Sequence, residues 1–190
     1  MTHPMAPADA VLDLYGQWGN ALFLDQPVTQ VEHALQIAWL AEQAGAPPPL
    51  VAAAFLHDIG HLLAIRFTAP KVAVSGDPQH AETGAAWLAA DFPSSVVEPV
   101  RLHVMAKRYL CSVEPGYPAR LSSASKFRLD SQGGLMTPTE AATFLATPFA
   151  ADALKLRRWD EMARVPSLAT PSVAHFRPCL EAVSRHPHAP

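Results

Sequence analysis

The sequence predicts an all-α protein, and three observations carry that expectation. Apolar residues recur at three- and four-residue spacing along most of the chain. Two of these stretches open on a capping box, Thr29-Gln30-Val31-Glu32 and Thr137-Pro138-Thr139-Glu140. In a capping box the hydroxyl accepts from a free backbone N–H while the carboxylate reaches back to the cap. No apolar–polar alternation is long enough to build a sheet, and the 19 prolines and 9 glycines fall mostly between the periodic stretches, where they punctuate helices.

Taken in order, Val11, Leu14, Tyr15 and Trp18 form the stripe of a helix over about residues 7–22. After a break at residues 23–27, the first capping box opens a helix to about residue 44, stopped by Gly45. Prolines 47–49 start the next, over about residues 50–65, which is apolar nearly all round and is therefore expected to be the central, buried helix. Asp77-Pro78 is a cap followed by proline at the first helical position, for a helix to about residue 91. Val96, Val97, Val100 and Val104 mark another over about residues 95–106, followed by a loop over 111–121. Helices near 122–131, 139–145, 149–163 and 171–185 complete the chain, the last broken at Pro178, which lacks a backbone donor.

The chain has 190 residues, of which 49 % are hydrophobic and 16 % charged. That is enough apolar material for one packed domain, expected over residues 1–190 with its core at 7–185 and short proline-rich tails. The apolar run at 50–56 is well short of the ~18–20 residues of a membrane span, so no membrane partner is expected. The first residues lack a basic segment followed by an apolar one, so a cytoplasmic location is expected. A net charge of −3 argues against nucleic acid held by a basic face. Cys111 and Cys179 are too few for a disulfide scaffold or a structural zinc knuckle.

Histidine is the unusual residue, 9 in 190. His57-Asp58-Ile59-Gly60-His61 lies in the apolar helix, where an ionised carboxylate without a partner is costly. A divalent metal supplies that partner; a His–Asp hydrogen bond within the core is the alternative. His33, His80, His103 and Asp160 lie on other expected helices, each on or beside an apolar stripe, and a helical bundle can point such groups at one site. His33, His57, Asp58 and Asp160 suffice for one ion. His80 and His103 are surplus unless there is a second, bridged to the first by the two oxygens of Asp58 and left with open positions. Imidazole and carboxylate suit iron, zinc or manganese alike.

The order His33, His57-Asp58, Asp160 resembles the HD-domain superfamily, a helical bundle whose members are mostly metal-dependent phosphohydrolases. The additional His80 and His103 resemble its diiron oxygenase branch, and the PhnZ/TmpB-like organophosphonate oxygenases within it. That likeness covers about residues 23–160. It is carried by Gln30-Val31-Glu32-His33, His57-Asp58-Ile59-Gly60-His61, Lys107-Arg108-Tyr109-Leu110 four residues after His103, Ser122-Ser123-Ala124-Ser125, Gln132-Gly133-Gly134 and Arg157-Arg158-Trp159-Asp160. The resemblance implies a mixed-valent Fe(II)/Fe(III) pair held by His33, His57, Asp58, His80, His103 and Asp160, with dioxygen as co-substrate. It implies O2-dependent cleavage of the C–P bond of a 1-hydroxy-2-ammonioethylphosphonate, supplied by an α-hydroxylating 2-oxoglutarate-dependent oxygenase, in a monomer or small homo-oligomer. Asp58, His61 and Lys107 are the implied catalytic groups; His61, Lys107, Ser125 and Arg157 are the implied phosphonate contacts.

One departure bears on the substrate. Family members carry a Tyr and, three residues later, a Glu that meets a primary ammonium; here those positions are Phe23 and Gln26. A quaternary ammonium has no N–H and prefers aromatic faces, for which Phe23 with Tyr15 or Trp18 is a candidate. The expected substrate is therefore (R)-1-hydroxy-2-(trimethylammonio)ethylphosphonate, giving glycine betaine and phosphate. The alternatives are (R)-2-amino-1-hydroxyethylphosphonate giving glycine and, in another class, a metal-dependent phosphohydrolase needing only the first four ligands.

Overall fold

The computed structural model of the chain describes residues 5–22, 28–68 and 79–185, and among these every regular element is helical. The elements are α1 (Pro7–Trp18), α2 (Gln30–Gln43), α3 (Pro48–Leu56), α4 (Ile59–Thr68), α5 (His80–Leu88), α6 (Ser94–Val113), α7 (Tyr117–Arg120), α8 (Ser123–Ser131), α9 (Pro138–Ala146) and α10 (Ala150–Met162), then a 3-10 turn (Val173–Phe176) leading into α11 (Arg177–Val183). Both capping boxes form, with Glu32 and Glu140 each bonded back to the cap backbone.

The bundle is organised around α3, in which Leu50 through Leu56 are all buried. It packs against α2, α6, α10 and α11, while α5 lies between α4 and α6. Each fully buried Leu or Phe here contributes about 2 kcal/mol. The Tyr15 hydroxyl donates to the Phe55 carbonyl at 2.6 Å, its ring 4.6 Å from that of Phe55. Tyr15 is thus a core residue rather than part of an aromatic substrate face. The stretch Pro48–Arg66 is long and apolar enough to cross a membrane, and it is buried in the protein's own interior.

Three boundaries differ from expectation for physical reasons. The single apolar helix over 50–65 is two helices, α3 and α4, with His57 and Asp58 in the turn between them. There the His57 ring, through Nδ1, takes the Ala54 carbonyl at 3.0 Å, a side chain competing with the helical ladder. α6 runs past its expected end near residue 106 to Val113, the first three residues of the expected loop, and so carries His103 and Lys107 on one continuous helix despite Pro99 in its interior. The expected cap at Asp77-Pro78 lies outside the described residues, and α5 starts at His80 and ends at Leu88.

α4 and α5 cross at a notch made by two glycines. A Cβ on Gly60 would stand 2.0 Å from the His80 carbonyl oxygen, and one on Gly84 would meet the Gly60 nitrogen at 3.2 Å. Only glycine at 60 lets the backbone of His80 come this close. Gly16, exposed on α1, has nothing within 4 Å of its would-be Cβ. Gly16→Ala is therefore expected to stabilise the protein by about 0.5–1 kcal/mol. Gly60→Ala is expected to destabilise it by about 2–3 kcal/mol. Urea denaturation of the two variants beside the parent chain measures both.

Candidate metal centre

Four imidazole Nε2 atoms surround the Asp58 carboxylate. On one oxygen, Oδ2, His57 stands at 3.3 Å and His33 at 3.8 Å; on the other, Oδ1, His80 stands at 3.4 Å and His103 at 3.7 Å. The rings come from four elements: His33 from α2, His57 from the α3–α4 turn, His80 from the start of α5 and His103 from α6. Asp160, on α10, brings Oδ1 to 3.2 Å from His33 Nε2. The ligating atoms of His33, His57 and Asp58 lie within 4.8 Å of one another, as do those of Asp58, His80 and His103. These are two metal-sized groups that share one carboxylate.

The ring orientations suit metal binding. His33, His57 and His103 each direct Nδ1 at a backbone carbonyl, of Ala163 at 2.6 Å, Ala54 at 3.0 Å and Val100 at 2.7 Å. A carbonyl only accepts, so Nδ1 carries the proton and Nε2 is the ring atom turned to the centre. This is how metal-binding histidines are usually held. Burial works against a charge on His57, but Asp58 beside it raises its pKa above the ordinary imidazole value. His80 and His103 bring their Nε2 atoms to 3.1 Å; burial, and then His80 and His57, press the His103 ring down to about 3, so it stays neutral. The residues therefore fit a divalent metal.

Asp160 is braced as well as buried. Although burial disfavours its charge, Arg157 and Arg164 hold its carboxyl well below the usual range. Arg157 pairs with Asp160 and Glu161, and Arg164 reaches Asp160 at 2.7 Å and Glu161 at 3.3 Å. Asp58 is likewise held well below the carboxylate range: burial opposes ionisation, but His57, His61 and His80 overcome it. Its side chain is 13 % exposed, which opens it to a polar cavity with about 380 Å3 of empty space.

His61, Lys107, Ser125, Arg157 and Asp160 all line that cavity with Asp58, His80 and His103. The His61 ring stacks on His80 at 4.1 Å. Phe23 and Gln26 lie outside the described residues; Trp18 lines a separate groove with Trp87 and Arg66. Sequence reasoning missed Arg128, Gln132 and Arg164 in the lining. The signal was present in the spacing of Ser125, Arg128 and Gln132, three and seven residues apart along one helical face.

The Lys-Arg and Gln-Gly-Gly strings turn out to be one structure. The Lys107 ammonium donates to Gln132 Oε1, and Arg108 donates to the carbonyls of Gly133 and Gly134 at 2.9 Å each. Gly133 has φ +101°, and a Cβ there would meet the Arg108 guanidinium at 3.0 Å. Glycine is required both by the backbone and by the arginine.

Anaerobic addition of Fe(II) to metal-free protein is expected to raise the melting midpoint. The gain is about 2.7 kcal/mol at a hundredfold excess over the dissociation constant. Asp58→Ala, which removes the shared carboxylate, is expected to abolish the rise; differential scanning calorimetry reads both.

No family model matches the chain. It is 44 % identical over 164 residues, 86 % of its own length and 82 % of the relative's, to the hydroxymethylphosphonate dioxygenase of Gimesia maris. It is 39 % identical over 174 residues, 91 % of its length and 88 % of the relative's, to the glycine-betaine-forming [1-hydroxy-2-(trimethylamino)ethyl]phosphonate dioxygenase of Leisingera caerulea. With the helical HD-type bundle and the buried histidine–aspartate cluster beside a cationic cavity, this likeness over nearly the whole chain places it: the protein belongs to the PhnZ/TmpB-like organophosphonate dioxygenases.

Proposed function

We propose that this protein cleaves the C–P bond of (R)-1-hydroxy-2-(trimethylammonio)ethylphosphonate with dioxygen, giving glycine betaine and phosphate. The observation that carries the reading is the pair of histidine groups sharing Asp58 at the edge of a cavity lined by Lys107 and arginines. The relative that forms glycine betaine supports the trimethylated substrate. So does Gln26, which offers no carboxylate to a primary ammonium. The atoms balance without an outside reductant: one oxygen of O2 appears in the new carboxylate and the other in phosphate.

In this reading His33, His57, Asp160 and Asp58 would hold one ion, and His80, His103 and the same Asp58 carboxylate would hold the other. When bound, an Fe(II)/Fe(III) pair would supply Lewis-acid binding of the substrate oxygens and the reduction of dioxygen. Lys107, buried on α6 one turn after His103, donates to a phosphonate oxygen, as does the Ser125 hydroxyl. His61 is neutral, its pKa pushed well down by burial and then by His80, and it offers a hydrogen bond at the same face of the cavity. Arg157 adds positive charge while it keeps Asp160 in place. An α-hydroxylating oxygenase supplies the 1-hydroxyl on which the chemistry depends.

The Gimesia maris relative favours a second reading in which C1 carries no ammoniomethyl arm and the substrate is hydroxymethylphosphonate. A side-by-side assay of the trimethylated, primary-amine and hydroxymethyl substrates, following phosphate release by iron-loaded protein in air and under argon, decides among them. Release is expected in air alone and fastest with the trimethylated substrate. His80→Ala and His103→Ala are each expected to lower bound iron from two equivalents to one and to abolish release. A phosphohydrolase would keep its activity in both variants and under argon.

Lys107 also gives a pH dependence. Burial, and then Arg157, lower it from 10.5 to about 7. The protonated amine that binds the anion is therefore present below pH 7 and lost above it. KM is expected to rise as the pH increases above about 7, with kcat less affected. Lys107→Gln is expected to show a high KM, raised about tenfold or more, that no longer follows this titration; steady-state kinetics across pH 6–9 provides the measurement.

A further inference from the structure

The charges lining the cavity do not balance, and the imbalance sits on α8. Arg157 and Arg164 are paired with Asp160 and Glu161. Lys107 is bonded to the neutral amide of Gln132. Arg128 lines the same cavity half-buried, and no carboxylate among the described residues pairs with it. Its charge is felt at the floor of the pocket: after burial and stronger neighbours, Arg128 adds to the downward shifts of both His61 and Lys107. Two cations without counter-charges in a partly closed pocket destabilise the empty protein and leave room for one dianion.

α8 is built to present this charge. Ser122 caps it by accepting from the Ser125 amide at 3.2 Å, and the Gly133-Gly134 turn that ends it is fastened to Arg108. Between these anchors Ser125 and Arg128 lie one turn apart on the face that lines the cavity. We propose that Arg128 is a second cationic clamp on the phosphonate, acting from α8 as Lys107 acts from α6. This rests on the reading of the cavity as a phosphonate site. Arg128 and a phosphonate oxygen form a charge-assisted hydrogen bond that the amide of Gln132 cannot replace. The clamp also orients a zwitterionic substrate: its anion faces α8 and its ammonium points away. Inorganic phosphate, a product of the reaction, meets the same two cations.

The test is calorimetric titration of inorganic phosphate into the metal-loaded protein under argon. Wild type, Arg128→Gln, Arg128→Lys and, as a surface control, Lys155→Gln are compared. Arg128→Gln is expected to bind phosphate at least tenfold more weakly than wild type, Arg128→Lys at an intermediate strength and Lys155→Gln unchanged. The phosphate-free melting midpoint of Arg128→Gln is expected to equal or exceed that of wild type, since a surplus charge has been removed. Phosphate binding by Arg128→Gln within twofold of wild type overturns the proposal, as does undetectable binding by wild type or a lowered midpoint of the phosphate-free variant. No turnover occurs in the titration. Oxygen-independent cleavage would therefore overturn the proposed function and leave the clamp standing, whereas unchanged binding in Arg128→Gln would remove the clamp alone.

Discussion

The Asp58 carboxylate sits in the protein interior with histidine nitrogens on both of its oxygens, His33 and His57 on one side and His80 and His103 on the other. Removing a carboxylate from water is expensive, and the surrounding histidines are what keep this one ionised. The remaining structure supports this arrangement. Backbone carbonyls fix three of the rings, so their Nε2 atoms converge before any ion arrives. Because the donors cannot turn away, binding an ion requires little reorganisation, and part of its binding energy appears as stability of the bundle.

The two halves of the site are built differently. The histidine half is set by close helix packing: the Gly60–Gly84 notch brings α5 against α4 and so places His80 opposite Asp58. The anion half is set by polar bonds, with Arg108 fastening the turn after α8 and Arg157 and Arg164 bracing Asp160 on α10. α6 belongs to both, carrying His103 into one and Lys107 and Arg108 into the other. Packing defects and charge changes should therefore be felt in different parts of the chemistry.

Much of this was legible in the sequence, because the signals were local. The capping boxes at Thr29 and Thr137 are four-residue patterns, and both form. Six histidine and aspartate side chains lay on or beside the apolar faces of five expected helices, and the structure brings all of them to one region. The break at His57-Asp58 was hidden, since hydropathy runs unbroken through it and the cause is a ring bonding to a carbonyl. Tyr15 looked like a free aromatic because its partner, Phe55, lies 40 residues away. Arg128 and Gln132 were passed over because α8 has little apolar periodicity to show which face is turned inward. The Lys-Arg and Gln-Gly-Gly strings were recognisable as motifs, but their dependence on each other is a tertiary fact.

The uninterrupted course of α6 between His103 and Lys107 has a consequence for molecular length. Four residues of helix advance about 6 Å, and a rod this short does not stretch. In the proposed reading, the separation between His103 and the Lys107 ammonium is therefore a built-in calliper. A compound whose alcohol and phosphorus share one carbon would span it, whereas an added methylene would push one end off its mark. In the proposed reading, selectivity for geminal attachment would thus reside in the pitch of a single helix, independent of whatever group the far end of the substrate carries.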